Sequence, residues 1–328
     1  MRVRSVAPWI VVLLMVALIA AAGCGGSSSS SSSASPVALA ADVSADQVVK
    51  DSEAKMAQVT SAAFVADVKV GVQGDTSKMT DPTAQALLGS GITVHAAGKS
   101  SNDPTAVDMT ISLGISGQTL ELGMMTQGTD SWVQYQEQWY KVDAKSSKSL
   151  DQQAQVGAAP TEQLKSLGLD PATWGTTYSM VGIESVDGKQ VYHVKATADP
   201  QKLADALLKA SQDPSLAQKL GGQAQLKQLE QSLTQNKQQT EELGKSLKQA
   251  TVDYWIGVDD GLMYKAQFAA AMDTTGQKDM SGVDGITMSM TMSMSDFDQP
   301  VTVTPPADAL PLDKLMEQMF GMAGGLSY

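Results

Sequence analysis

Apolar residues recur with two periods along this chain. Between Asp46 and Thr60, Val48, Val49, Ser52, Met56 and Val59 fall on one helical stripe, with Ser44 or Asp46 placed to cap it. The spacing predicts an amphipathic helix. From there period two takes over. Phe64, Ala66, Val68, Val70 and Val72 share one side of a strand opposite Asp67, Lys69 and Gln73. Val107, Met109, Ile111, Leu113 and Ile115 alternate with Asp108, Thr110 and Ser112, and Leu120, Leu122 and Met124 continue after a Ser116-Gly117-Gln118 turn. Further hairpins are predicted around Gln136-Glu137-Gln138, Asp187-Gly188 and Asp259-Asp260-Gly261. Successive hairpins imply an antiparallel sheet, open or curled into a barrel.

Residues 286–296 read ITMSMTMSMSD. Alternation places Ile286, Met288, Met290, Met292 and Met294 on one face and hydroxyl side chains on the other. Methionine is not a favoured strand residue, but its unbranched thioether adapts to variable apolar partners. The row is either irregular core filling or a wall that touches a hydrophobic ligand. Met109, Leu113, Leu122, Met124, Tyr264 and Phe268 are candidates to extend that wall.

Helical patterns interrupt the strands. Residues 81–88 and 160–167 read as short helices, and residues 200–250 as a long helical insertion. Within it Leu226, Leu229, Leu233, Asn236, Thr240, Leu243 and Leu247 form a narrow heptad stripe with a polar middle, which packs along the sheet or seeks a partner helix. A last helix over residues 311–320 puts Leu312, Leu315, Met316, Met319 and Phe320 on one face, to dock on the sheet or to touch membrane or ligand.

Charge and composition narrow the chemistry. The only arginines are Arg2 and Arg4, at the extreme N-terminus. Without the first 23 residues, 21 lysines stand against 35 acidic side chains, a formal charge of −14. Such a surface is unsuited to nucleic acid or nucleotide phosphate. Cys24 is the single cysteine, and His95 and His193 are the only histidines, so neither a disulfide framework nor a Cys- or His-rich metal site is expected. His95 and His193 read as sheet residues with local partners, Glu184 as a rim position or a polar cavity contact, and Asp259-Asp260-Gly261 as a turn and not a calcium loop. No P-loop, dinucleotide fingerprint, HExxH or GxSxG is present. No catalytic residue, metal or cofactor is expected.

The N-terminus, MRVRSVAPWIVVLLMVALIAAAGCGG, has a positive start, an apolar run from Trp9 to Ala22 and Ala21-Ala22-Gly23-Cys24. It resembles a bacterial lipoprotein signal peptide, with alanine where the lipobox usually has leucine. The resemblance implies removal of residues 1–23, a diacylglyceryl anchor on Cys24 and an extracytoplasmic, membrane-attached protein. Residues 24–45, rich in serine, form a flexible leash of roughly 25 Å root-mean-square reach.

Three stretches carry a wider resemblance: Trp139-Tyr140-Lys141 after SWVQYQEQ, TVDYWIGVDDGLMYKAQF at 251–268, and FDQPVTVTPP at 297–306, expected to close the sheet. Together with the order of elements they resemble the LppX/LprG lipoproteins, related in fold to the LolA/LolB carriers. The resemblance implies one α+β domain over residues 46–328: a curved antiparallel sheet, or half-open β-barrel, with helices over its concave side. Between sheet and helices the acyl chains of a lipid or lipoprotein would lie. The expectation is therefore a membrane-anchored lipoprotein that binds a hydrophobic ligand and transfers lipid across the envelope. The alternative is a structural or protein-binding envelope module with an envelope protein as partner.

Overall fold

The structure is a computed structural model, and it describes residues 43–78, 85, 88, 91–115, 117–142, 171–211, 245–275, 282–315 and 317. The N-terminus expected as a signal, Cys24, the helix expected at 160–167, residues 212–244 of the helical insertion expected at 200–250, most of the helix expected at 81–88, and residues 316 and 318–320 of the one expected at 311–320 lie outside these residues.

Helix α1 spans Ala45–Met56, with Ser44 at its N-cap, Asp46 in the first turn and Lys55 in the last, as the helix dipole favours. Lys50 pairs with Asp46 one turn back at 2.7 Å. Val49 and Ser52 are its buried positions. The strands are β1 (Ser61–Gly74), β2 (Ile92–Asn102), β3 (Thr105–Ile115), β4 (Gln118–Gln127), β5 (Asp130–Tyr135), β6 (Gln138–Val142), β7 (Thr177–Val186) and β8 (Lys189–Thr197). Helix α2 (Pro200–Ser211) follows, then β9 (Leu247–Gly257), β10 (Met263–Asp273), β11 (Val283–Ser295) and the two-residue β12 (Leu310–Pro311).

All twelve strands form one sheet in the order β12-β6-β5-β4-β3-β2-β1-β11-β10-β9-β8-β7. It is curved and does not close on itself, a half-open barrel of α+β class. Every neighbour is antiparallel except β12, which runs parallel to β6 and pairs Leu310 with Tyr140. Antiparallel order follows from short turns. Gln136 and Glu137 (φ 49° and 68°), like Asp187 and Gly188 (φ 48° and 80°), supply the left-handed pairs that two-residue hairpins need.

Both helices lie on one face, here called inner. Val49 of α1 packs with Val194 and Ile256. Leu203 of α2 packs with Leu247, Ala250, Ala270 and Met272. Leu247 and Ala250 belong to strand β9, not to the end of a long helix as the heptad stripe predicts. A register shift between Ala271 and Met272 lets Leu247 and Ala250, three residues apart, pair with Met272 and Ala270. That bulge disguises a strand as a helical spacing.

The segment after β11 also departs from expectation. Residues 297–306 form no strand; Pro300, Pro305 and Pro306 have no N–H for a ladder. Instead Val301 and Val303 cover Met125, Trp132 and Trp139 on the outer face. The entry to β1 and the exit from β11 are tied together. Asp298 Oδ1 accepts from Thr60 N (2.8 Å) and Thr60 Oγ1 (2.9 Å), and Ser61 Oγ donates to the Gln299 carbonyl at 2.6 Å.

Candidate functional site

The register turns the sheet into rows. Through Met290 one inner row reads Tyr178, Ala196, Val252, Phe268, Met290, Val68, Val94, Leu113, Leu120, from β7 to β4. Through Met292 the next reads Met180, Val194, Tyr254, Ala266, Met292, Ala66, Ala96, Ile111, Leu122, Tyr135. Neither row contains Asp, Glu, Lys, Arg or His. The row between them on the outer face carries Lys195, Asp253, Asp67, His95 and Glu121. Along these rows the charged side chains are therefore confined to the outer face.

The four row methionines are buried, 2–5% exposed, between β1 and β10. They divide into two surroundings. Met292 and Met294 pack with Met263 and Ala266, against Met56 at the end of α1, Tyr254 and Phe297. Met288 and Met290 join Val68, Val70, Ile92 and Ile286, with Phe268 and Leu113 partly buried against them. Met109 and Met124 are cross-strand partners in the row of Met294, joined to it through Phe64 and Gly98. Burial falls off along these rows. Leu113, Leu122, Met109 and Met124 are half-buried, and at the β3–β4 tip Ile115 and Leu120 stand 41% and 40% exposed.

Gly98 faces Met109 in this half of the sheet. A Cβ at Gly98 would strike the Asp108 carbonyl oxygen and lie 2.7 Å from Met109 Cα. The missing side chain lets β2 and β3 approach where the methionine crosses.

Tyr264 does not extend the wall. A shift between Met263 and Lys265 turns Met263 inward, opposite Ile256, and puts Tyr264 with Trp255 and Val191 on the outer face. There its hydroxyl donates to Asp260 Oδ2 at 2.6 Å, and Lys189 Nζ lies 4.7 Å from the ring centroid.

A second bulge, between Met180 and Gly182, does the same to Glu184. Glu184 faces outward, away from Tyr178 and Met180. Its Oε1 lies 2.7 Å from His193 Nδ1, and its Oε2 accepts from the Trp255 indole at 2.8 Å. His193 Nε2 lies 2.9 Å from Asp253 Oδ1, its ring stacks on Trp255 at 4.5 Å, and Lys265 Nζ sits 4.4 Å from the Trp255 ring centroid. An imidazolium donates to both carboxylates; a neutral ring donates to one. Burial alone would raise the Glu184 carboxyl, but the Trp255 and His193 hydrogen bonds, with the charges of His193 and Lys265, hold it below its ordinary value. The two carboxylates lie on opposite sides of the ring and cannot converge on one ion. No group of three or more His, Cys, Asp or Glu side chains among the described residues could hold a metal. His95 pairs with Asp67 on the same outer face at 2.9 Å.

Asp259-Asp260-Gly261 forms the β9–β10 turn, where Asp260 Oδ1 accepts from Leu262 N at 3.0 Å. No helix among the described residues is long and apolar enough to cross a membrane.

No protein-family model matches the sequence, and no curated protein sequence matches it. Among solved structures the chain is similar to the lipoprotein LppX of Mycobacterium tuberculosis, at 13% identity and TM-score 0.36, covering 79% of this chain and 97% of that one. It is similar to LprF of Mycobacterium bovis at 14% identity and TM-score 0.35, covering 80% and 97%. A LolA superfamily protein of Nitrosomonas europaea matches at 12% identity and TM-score 0.20, covering 80% and 96%.

Proposed function

We propose that this protein is an extracytoplasmic lipoprotein, anchored through Cys24, that holds an acyl chain of a lipid or lipoprotein against the inner face of its sheet. One observation carries the reading. The inner rows run from β7 to β4 without a charged side chain, and their burial decreases from the methionine row toward Leu113, Leu122 and the exposed Ile115 and Leu120. A face built only to be filled by its own helices has no need of large apolar side chains at an exposed tip. A face that receives an apolar chain from outside does.

The energetics suit exchange. Each buried methylene contributes about 0.8 kcal/mol, so ten of them contribute roughly 8 kcal/mol, close to what the same chain gains in a bilayer. Uptake and release then differ by little, which is what transfer between membranes requires. Binding of this kind uses no acid, base or metal, and we assign no enzymatic step.

Met292 and Met294, filled from above by Met56, favour the alternative of a packed structural or protein-binding module for that part of the sheet. Solvent extraction of the purified full-length protein separates the two. About one acyl-bearing molecule per chain beyond the Cys24 anchor is expected; a protein that yields only its anchor lipids, even after incubation with lipid vesicles, is the module.

A further inference from the structure

Trp174 ends the short 3-10 segment Pro171–Trp174 that leads into β7. Its carbonyl accepts from Asp199 N at 3.0 Å, which fixes the segment against the start of α2. Its indole packs against Leu203, Leu247, Ala250, Ala270 and Met272, with Phe268 beside them. Four of these belong to the inner face of β9 and β10, and Phe268 shares the row of Met290. Against this apolar cluster the Trp174 Nε1–H is buried and has no hydrogen-bond partner, alone in this among the buried side-chain nitrogens and oxygens of the described residues.

Indole nitrogen is a donor only. A buried donor without an acceptor loses its water and recovers nothing, so native structures seldom retain one without a use. Phenylalanine would fill most of the same space without that loss. We infer that the Trp174 indole N–H is the polar contact for the ligand: it donates to the carbonyl oxygen of an ester or acid at the end of an acyl chain lying on the inner face. A carbonyl oxygen needs only one neutral donor, which the indole N–H supplies. The inference rests on the acyl-binding reading above and names the chemical group that reading leaves open. It also sets a direction, with the carbonyl end at Trp174 and the hydrocarbon running toward Phe268 and Met290.

The test uses the delipidated full-length protein and two probes of equal chain length, methyl palmitate and hexadecane. Trp174→Phe is expected to weaken methyl palmitate binding about tenfold, the scale of one hydrogen bond to an otherwise unpaired donor, and to leave hexadecane unchanged. In the wild type, the indole 1H–15N NMR resonance of Trp174 is expected to shift downfield with methyl palmitate and not with hexadecane. Equal loss of both probes in Trp174→Phe makes Trp174 a packing residue and overturns the inference, as does undiminished ester binding. If the wild type retains neither probe, the acyl-binding reading fails and takes this inference with it; if it retains both and the variant matches it, only the inference fails.

Discussion

Glu184 shows how one side chain on the outer face ties three strands together. It reaches His193 on β8 and Trp255 on β9 from its place on β7. Because its carboxyl is held below its ordinary value in the folded protein, the carboxylate contributes stability above the unfolded glutamate value of about 4.3. That contribution is lost as the pH falls through the depressed folded value. Glu184→Gln is therefore expected to lower stability by about 1–3 kcal/mol at pH 6, the worth of hydrogen bonds to a charged group. The gap to wild type should narrow as the pH drops to 3. Urea unfolding midpoints across that range check it; a gap that does not change with pH would mean the charge is immaterial.

At the scale of the element, the latch between residues 60–61 and 296–299 joins the two central strands at their shared end. Asp298 has φ 56°, and its side chain accepts twice from Thr60. Asp298→Ala loses both bonds and leaves a β-carbon in the left-handed region, so a loss of about 2–3 kcal/mol is expected. Asp298→Asn, which tolerates that conformation and keeps one acceptor, should lose less than about 1 kcal/mol. Thermal unfolding of both variants measures the difference.

The same scale decides what was legible in the sequence. Alternation is uninterrupted over residues 64–72, 107–115 and 286–294, so Phe64 to Val72, Val107 to Ile115 and the methionines were assignable to a face from their parity alone. Left-handed Asp187-Gly188 marked its hairpin. Where a strand gains one residue, parity inverts, and nothing local announces it. Tyr264 and Glu184 both sit just beyond such points and both face the opposite side from the one their numbers imply. Leu247 and Ala250 were hidden in the same way, by a shift that mimics a helical interval. The Val301 and Val303 alternation was real, but its prolines exclude it from a ladder, and its apolar side chains found the outer face instead. Trp174 carried no sequence signal, since an unpaired N–H is a property of three-dimensional surroundings.

For the whole molecule, the decline of burial from β11 toward β4 yields a prediction that separates wall from core. Leu113 and Leu122 are half-buried on neighbouring inner rows. Carboxylates there can reach water, so Leu113→Asp with Leu122→Asp should leave a cooperatively folded protein, with the circular dichroism of a sheet, that retains at least about tenfold less acyl ligand. Met290→Asp, at a position 5% exposed, should instead cost about 3 kcal/mol or more in stability, because no water reaches it. Retention unaffected by the Leu113 and Leu122 changes would place the ligand elsewhere.

An unclosed sheet has two rims, and each is marred. On one side the short β12 covers β6 and presents Pro311, which offers no N–H to a newcomer. On the other, β7 carries its extra residue at Val181, breaking the rhythm of amides and carbonyls that a second strand would have to match. On the anchored reading proposed above, copies on one membrane would meet at high density in two dimensions, and these two small irregularities would hinder neighbouring molecules from pairing edge to edge.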